Sequence, residues 1–436
     1  MAEPGTSVVR SVPAVFIRTL GCKVNRAESE QAAASLLARG VRLVDEDEAA
    51  VVVINTCTVT GEADRKARKA VRHAHALPHE PVVVVTGCLA ALDAGGLSAL
   101  GERVVVEADR ERLAERVAEL LGAAREVDRP AVRTGEGFRA RVAIKVEDGC
   151  DAFCAYCIVP YARGVPRSVP LPGVVGEVES LVRAGTREVV LSGINIGRYR
   201  WEEAGLTQLV EAVAATGVAR LRISSIEPLD LTEELLAVFA HAPSLCDHLH
   251  VPLQSGSDRV LDAMSRGYTV AEYRERIAQL RRALPDVAVT TDVMVGFPGE
   301  SAEDAEHTRA LVAELGFSRL HVFRYSRRQG TAAAEMCGQV DAAEIARRAS
   351  VLRADDARLR AAHAASRVGQ RAEVLVEEVS RGRQGMRATG TTRDYLRVTL
   401  DGEGVQPGEL VGVTLVSAEG DRLLGTRAGA RREGRA

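Results

Sequence analysis

The chain predicts an α/β protein: an open parallel α/β sheet domain, then a partial or complete parallel barrel of six βα units, then a small β-barrel. Three observations carry this. Short β-branched runs alternate with helix-length stretches up to about residue 326 of 436. The remainder changes to short strands separated by Gly-rich turns. Cysteines recur where predicted strands end.

In the first segment, up to about residue 125, the strands are Val15 to Leu20, Val51 to Thr56 and Pro81 to Thr86, each followed by a helix-like stretch. Cys22, Cys57 and Cys88 stand just past their carboxyl ends, where open α/β sheets gather ligand-binding residues. Singly, each thiol reads equally well as a small buried hydrophobe. Three in equivalent places favour a three-thiolate iron–sulfur site.

The next six strand candidates are Val142 to Val146, Glu188 to Ser192, Leu221 to Ser225, His248 to Val251, Ala288 to Val293 and Leu320 to Phe323, with helical periodicity between them. Repeated βα units place chemistry on the loops after the strands. The first strand leads into Cys150, Cys154 and Cys157 in a C-x3-C-x2-C loop. Such a loop holds three irons of a 4Fe–4S cube, which normally takes four thiolates, so one iron stays open. Zinc is the other reading, but its fourth ligand would be His241 or Cys246, far outside finger-like spacing.

Gly193, Asn195, Glu227, Gln254, Asp292 and Gly296 fall at matching strand ends. Together they suit an amino-acid nucleoside, with donors for a carboxylate and acceptors for an amino group and ribose hydroxyls. Singly they read as caps and turns. His248 and His250 share a strand face and are expected to line the barrel, and Cys246 and Cys337 match no ligand motif.

A helix-like Ala/Arg connector, 342–366, leads to the β-rich segments Ala372 to Glu378, Gly390 to Val398 and Gly408 to Leu415. The formal net charge of −3 gives no global attraction to nucleic acid, so a polyanion must meet local basic faces. Two exist: Arg65, Lys66, Arg68, Lys69 and Arg72 in one predicted helix, and Arg381, Arg383, Arg387, Arg393 and Arg397 in the β-rich segment. Each reads as a solvated surface or as RNA contact. A 46% hydrophobic, 27% charged composition excludes disorder as the main state. The start lacks a secretory pattern and no run of about 18 apolar residues occurs. A cytoplasmic protein without a membrane segment is expected, and clustered cysteines suit a reducing compartment.

The C-x3-C-x2-C loop in a six-unit barrel resembles the radical S-adenosylmethionine enzymes, and the preceding three-cysteine domain resembles their methylthiotransferase branch. Thr19-Leu-Gly-Cys-Lys-Val-Asn25, Asn55-Thr-Cys-Thr-Val-Thr60, Thr86-Gly-Cys88, His250-Val-Pro-Leu-Gln-Ser-Gly256 and Val295-Gly-Phe-Pro-Gly-Glu300 are similar to the tRNA methylthiotransferases of N6-threonylcarbamoyladenosine. The last segment resembles the TRAM domain, an RNA-binding module.

The resemblance implies a methylthiotransferase domain over 12–125, a radical S-adenosylmethionine barrel with connector helix over 136–366 and a TRAM domain over 367–430. It implies two 4Fe–4S clusters, one on Cys150, Cys154 and Cys157 and one on Cys22, Cys57 and Cys88, with S-adenosylmethionine as radical source and methyl donor. The first cluster would generate a 5′-deoxyadenosyl radical that takes hydrogen from C2 of the adenine, and the second would supply sulfur. Implied partners are tRNA, met by the named arginines and a stacking Tyr395, and a reducing donor such as flavodoxin or ferredoxin; a monomer is expected. Alternatives are a methylthiotransferase of isopentenyladenosine tRNA or of a ribosomal-protein aspartate, and a non-catalytic iron–sulfur RNA sensor. The relatives usually carry prolines beside an arginine around 325–331; Arg328 and Gln329 stand there in this chain, and that loop is given no substrate role.

Overall fold

The computed structural model describes residues 13–123, 138–382 and 385–427. It divides into two compact units, residues 1–131 and 132–436.

The first unit runs β1 (Ala14–Thr19), α1 (Lys23–Ala38), β2 (Arg42–Leu43), β3 (Val51–Thr56), α2 (Gly61–His75), β4 (Val82–Gly87), α3 (Cys88–Leu92), α4 (Ala94–Ser98), β5 (Val104–Val106) and α5 (Leu113–Leu121). Its sheet has the order β2-β1-β3-β4-β5, every pair parallel. β3 is buried along its whole length because helices cover both faces. Val51 and Val53 pack in the cluster that includes Leu36 and Val117 of α1 and α5, while Val52 and Ile54 meet Ala67, Val71 and Leu89 of α2 and α3. The three predicted strands are all present. β2 and β5, of two and three residues, are additions at the edges. Most of the basic run on α2 faces solvent, but Arg68 is held by Asp93 and by the Gly96 carbonyl, and Lys66 pairs with Glu62 at 2.8 Å.

The second unit begins with β6 (Arg141–Lys145), β7 (Glu147–Asp148), α6 (Val159–Arg163), β8 (Arg167–Ser168), α7 (Leu171–Arg183), β9 (Glu188–Ser192), α8 (Leu206–Ala214), β10 (Arg220–Ile223), α9 (Glu233–His241) and β11 (His248–His250). It continues with α10 (Asp258–Ala263), α11 (Val270–Ala283), β12 (Ala288–Val295), α12 (Ala302–Leu315), β13 (Arg319–Arg324), α13 (Ala332–Glu335) and α14 (Ala342–Ser366). Two three-stranded parallel sheets, β10-β9-β6 and β11-β12-β13, are joined by a single parallel bridge, Leu221 to Leu245. The six strands therefore form a partial barrel, with one apolar core between strands and helices. Helix starts follow their caps: Thr269 and Glu272 close a capping box on α11, and Ser301 and Asp304 close another on α12.

The chain ends in a closed barrel, β14 (Arg371–Gly382), β15 (Gly385–Thr392), β16 (Arg397–Asp401), β17 (Leu410–Glu419) and β18 (Arg422–Arg427), in the order β14-β15-β16-β18-β17. The β15–β16 turn is fastened to the amino ends of β9, β10 and β11. Arg220 and Arg222, both fully buried, donate to the carbonyls of Thr391, Thr392 and Arg393 and share Glu188, also fully buried. Burial alone would raise the Glu188 pKa, but the three arginines Arg222, Arg220 and Arg141 bring it below the usual carboxylate range. Among the described residues no helix is long and apolar enough to cross a membrane.

Candidate iron–sulfur and cofactor sites

In the first unit, Cys22 caps α1, Cys57 follows β3 and Cys88 opens α3, so three strand ends supply the three thiols. Glycines make the approach possible. Gly21 has φ +111°, and a Cβ there would lie 2.7 Å from Cys57 Cβ; Gly87 has φ +92°, and a Cβ would lie 2.3 Å from the Thr56 carbonyl oxygen. Behind them Asn25 and Asn55 form a buried amide pair. Asn25 Nδ2 donates to Asn55 Oδ1 (2.9 Å) and the Thr56 carbonyl (2.8 Å), and Asn55 Nδ2 donates to the Asn25 carbonyl (2.8 Å) and Ser29 Oγ (3.0 Å). The Cys22 thiol donates to Asn25 Oδ1 at 3.2 Å. Burial, then the neighbouring Cys88 and Cys22, push the Cys57 thiol up to about 11. A desolvated thiol crowded by two others gains most from a cationic centre that takes all three as thiolates.

In the second unit, β6 leads through β7 into the C-x3-C-x2-C loop, and β8 pairs with β7 on the far side of that loop. Gly149 (φ +92°) brings the chain against the Val165 carbonyl, where a Cβ would stand 2.1 Å away, and Cys150 N–H donates to the Gly164 carbonyl at 2.9 Å. Arg163 ties the loop back through Asp148 at 2.7 Å. Cys157 is pushed up to about 12 by burial, with Cys154 and Cys150 adding to it, and Cys150 is raised by burial and by Cys154. Asn195 hydrogen-bonds Cys150 and so opposes that rise. Glu147, fully buried, accepts from Asn195 N–H at 2.8 Å through Oε2, while Oε1 has no partner. Burial pushes its carboxyl up to about 7.

No three Cys, His, Asp or Glu side chains among the described residues are placed to hold a single metal ion. In a 4Fe–4S cube each thiolate binds a different iron, so its ligands need not share one ion's shell. Two groups of neighbouring thiols, three in each, fit such clusters.

A cleft of about 220 Å³ opens beside Cys154, walled by Asn195, Arg198, Glu227, Asp230, Arg266 and Tyr268 among others. Two of the six residues expected at a cofactor, Asn195 and Glu227, line it. Gly193 instead packs on Glu147, where a Cβ would meet Oε2 at 2.8 Å. The Gln254 N–H bonds the Asp292 carbonyl (2.8 Å), and the Asp292 carboxylate pairs with His250 at 3.1 Å. Gly296 faces Ile345 and gives its N–H to Glu300 at 2.6 Å. These four are not among the residues that line the cleft. His248 and His250 both bond Thr290 Oγ1. Arg266 was not singled out in the sequence; its place after α10, in Ser265-Arg-Gly-Tyr268, is the only local signal.

Two of the residues expected to meet RNA make contacts within the chain. Arg393 is spent on Asp247 (3.1 Å) and on the carbonyls of Pro243 (2.9 Å) and Leu245. Tyr395, at φ +70°, is wedged against Arg222 (4.2 Å to the ring centroid), Arg141 (5.1 Å) and His248 (4.6 Å). Both hold the β15–β16 turn in place. Arg381, Arg387 and Arg397 are exposed on the barrel; Arg383 lies outside the described residues.

The family models matched are the Radical SAM superfamily over residues 144–312 and Uncharacterized protein family UPF0004 over residues 14–106. The threonylcarbamoyladenosine tRNA methylthiotransferase MtaB of Bacillus subtilis (strain 168) is 36% identical over 427 residues, 93% of this chain and 94% of the relative. The tRNA-2-methylthio-N(6)-dimethylallyladenosine synthase of Endomicrobium trichonymphae is 32% identical over 417 residues, 94% of this chain and 99% of the relative. The radical S-adenosylmethionine methyltransferase TsrM of Kitasatospora setae shares the fold, with a TM-score of 0.55 at 16% identity over 74% of this chain and 77% of that one. The chain is thus a radical S-adenosylmethionine enzyme. It belongs to the methylthiotransferase family, whose enzymes work with S-adenosylmethionine and 4Fe–4S clusters.

Proposed function

We propose that the enzyme converts N6-threonylcarbamoyladenosine, 3′ to the tRNA anticodon, to its 2-methylthio form. Cys150, Cys154 and Cys157 hold the radical-generating cluster, and Cys22, Cys57 and Cys88 hold the cluster that supplies sulfur. The observation that carries this reading is the pair of thiol triads, each short of a fourth cysteine, in a chain matching the Bacillus subtilis threonylcarbamoyladenosine enzyme over 93% of its length. Substrate choice is supported by the opening motif Thr19-Leu-Gly-Cys-Lys-Val-Asn25.

When bound, the loop cluster supplies the electron that cleaves the sulfonium of S-adenosylmethionine. The chain's residues bind and orient. Arg198 and the Asn195 amide offer donors to a carboxylate, Glu227 offers acceptors to an amino group or ribose hydroxyls, and Asn195 steadies Cys150. Arg381, Arg387 and Arg397 meet phosphates, and the unpaired loop setting of the adenosine avoids the cost of extraction from a duplex. An electron donor of flavodoxin or ferredoxin type and a monomeric state belong to the same proposal.

The test expresses the chain, and its Cys57→Ala and Cys150→Ala variants, in a host lacking the activity, and reads tRNA nucleosides by mass spectrometry. The intact chain yields the 2-methylthio threonylcarbamoyl nucleoside. Cys150→Ala abolishes it together with S-adenosylmethionine cleavage in the purified enzyme, and Cys57→Ala abolishes it while cleavage persists. Undiminished product from Cys57→Ala overturns the sulfur-donor role. A methylthio isopentenyl nucleoside in its place reassigns the substrate, a reading that the similarity to the Endomicrobium synthase keeps in view.

A further inference from the structure

Arg266 is 8% exposed and stands in the cleft wall with every side of its guanidinium engaged. Nη1 donates to Cys154 Sγ at 3.3 Å, Nη2 donates to Glu227 Oε2, and Nε donates to the Tyr268 hydroxyl at 3.2 Å. The Tyr268 hydroxyl donates in turn to the Leu253 carbonyl at 2.9 Å. The backbone fixes the same distance from the other side, since Ala155 N–H donates to the Met264 carbonyl at 2.9 Å. The middle cysteine of the loop is therefore tied to the segment that carries Arg266.

A buried guanidinium stays protonated, and it is retained only where partners compensate its desolvation. Burial works against the charge here, yet Glu227 holds it on, helped by the surrounding phenols and Cys154. Glu227 is a single carboxylate that also faces the cleft, so part of the positive field falls on the sulfur of Cys154.

We propose that Arg266 sets the reduction potential of the cluster held by Cys150, Cys154 and Cys157: its N–H···S hydrogen bond and fixed positive charge stabilise the reduced cluster. The inference rests on the reading of those three cysteines as cluster ligands. One electron enters the cluster, the three thiolates stay bound, and no proton moves because the guanidinium is charged in both states. Hydrogen bonds to sulfur and local net charge are established determinants of iron–sulfur potentials. Arg266 is a positioning residue, acting through Cys154.

The test is an anaerobic redox titration of the full, reconstituted chain, with dithionite as reductant and the paramagnetic signal of the reduced cluster as readout. A Cys57→Ala background leaves the loop cluster as the reporter. Arg266→Gln lowers the reduced-to-oxidised ratio at a fixed potential by tenfold or more, a fall of about 59 mV in a one-electron midpoint. Arg266→Lys, which keeps the charge and loses the planar fork, gives a smaller fall in the same direction. An unchanged midpoint in Arg266→Gln overturns the inference. If that variant takes up no iron, Arg266→Lys decides: a lowered midpoint supports it and the parent's midpoint overturns it. Failure of the underlying reading looks different, because a Cys154→Ala chain would then keep the parent's cluster spectrum.

Discussion

The two thiol triads contain the same donors but are built in opposite ways. Cys150, Cys154 and Cys157 lie on one loop whose geometry is local, whereas Cys22, Cys57 and Cys88 come from three strand ends that only a formed parallel sheet brings together. The supports differ too. Behind the strand-end triad lies a neutral amide pair, Asn25 and Asn55, and behind the loop triad lie ionisable groups, Glu147 and the Asp148–Arg163 pair. The first triad should thus be sensitive to packing and the second to charge.

The sharpest way to break this contrast is Gly87→Ala. The new methyl would meet the Thr56 carbonyl oxygen at 2.3 Å and Asn55 Oδ1 at 2.4 Å, at a φ of +92°. Backbone strain and overpacking together predict a loss of about 4 kcal/mol in the first unit. Anaerobically reconstituted protein should carry roughly half the parent's iron, because one of two cubes is lost, and should still cleave S-adenosylmethionine. Equal loss of iron from both triads would show that the loop triad is not locally built.

Charge sensitivity is tested by pH. Glu147 has its folded pKa raised from 4.5 to about 7 by burial. The stability it contributes is fully present below about pH 4.5 and is lost as pH rises through 7, by about 3 kcal/mol in all. Stability of the second unit should fall by that amount as pH rises from about 4 to about 8, with the slope between about 4.5 and 7, and Glu147→Gln should flatten the profile. No matching slope is expected from the Asn25–Asn55 pair. A steep profile that survives in Glu147→Gln would assign the charge sensitivity to another group.

How much of this was legible in the sequence follows from the same contrast. The loop triad is visible as spacing, and the strand-end triad emerges once the strands have been placed by their β-branched runs. The strands themselves are legible because β3 and β4 are almost entirely buried, and their valines crowd together. Partners far apart in the chain leave no such trace: Arg266 lies 112 residues from Cys154 and 39 from Glu227, and Arg222 reaches 170 residues to the Thr392 carbonyl. The contacts of Arg393 and Tyr395 leave no trace for the same reason. A basic and an aromatic residue on a short-stranded segment suit RNA, and nothing local announces that β10 and β11 occupy them.

A smaller effect separates the amide support from the thiols it carries. Asn55→Ala removes the bonds to Asn25 and Ser29 in buried surroundings, while Asn25 Nδ2 keeps its bond to the Thr56 carbonyl, at a cost of about 2 kcal/mol. The sheet should remain, since β3 keeps its ladder to β1 and β4. Thermal melting should therefore fall modestly while the second unit's pH profile is unchanged. A collapse as deep as that of Gly87→Ala would mean that the amide pair, and not the close approach at Gly87, organises the strand ends.

The smallest effect is chemical, and it compares thiols within each triad. In the reduced, iron-free chain Cys22 is exposed while Cys57 is buried, its thiol pushed up to about 11. At pH 8 a two-unit rise leaves roughly a hundredfold less thiolate than an ordinary thiol has, and thiolate is what iodoacetamide attacks. Cys157, pushed up to about 12, should be slower still. Mass spectrometry of a time course should find Cys22 and the exposed Cys337 modified first, with Cys57 and Cys157 last. Adding iron and sulfide before the alkylating agent should protect Cys22 but not Cys337, because only the former would become a cluster ligand. If Cys22 stayed as reactive as Cys337 after reconstitution, the strand-end triad would have to bind its cluster through Cys57 and Cys88 alone.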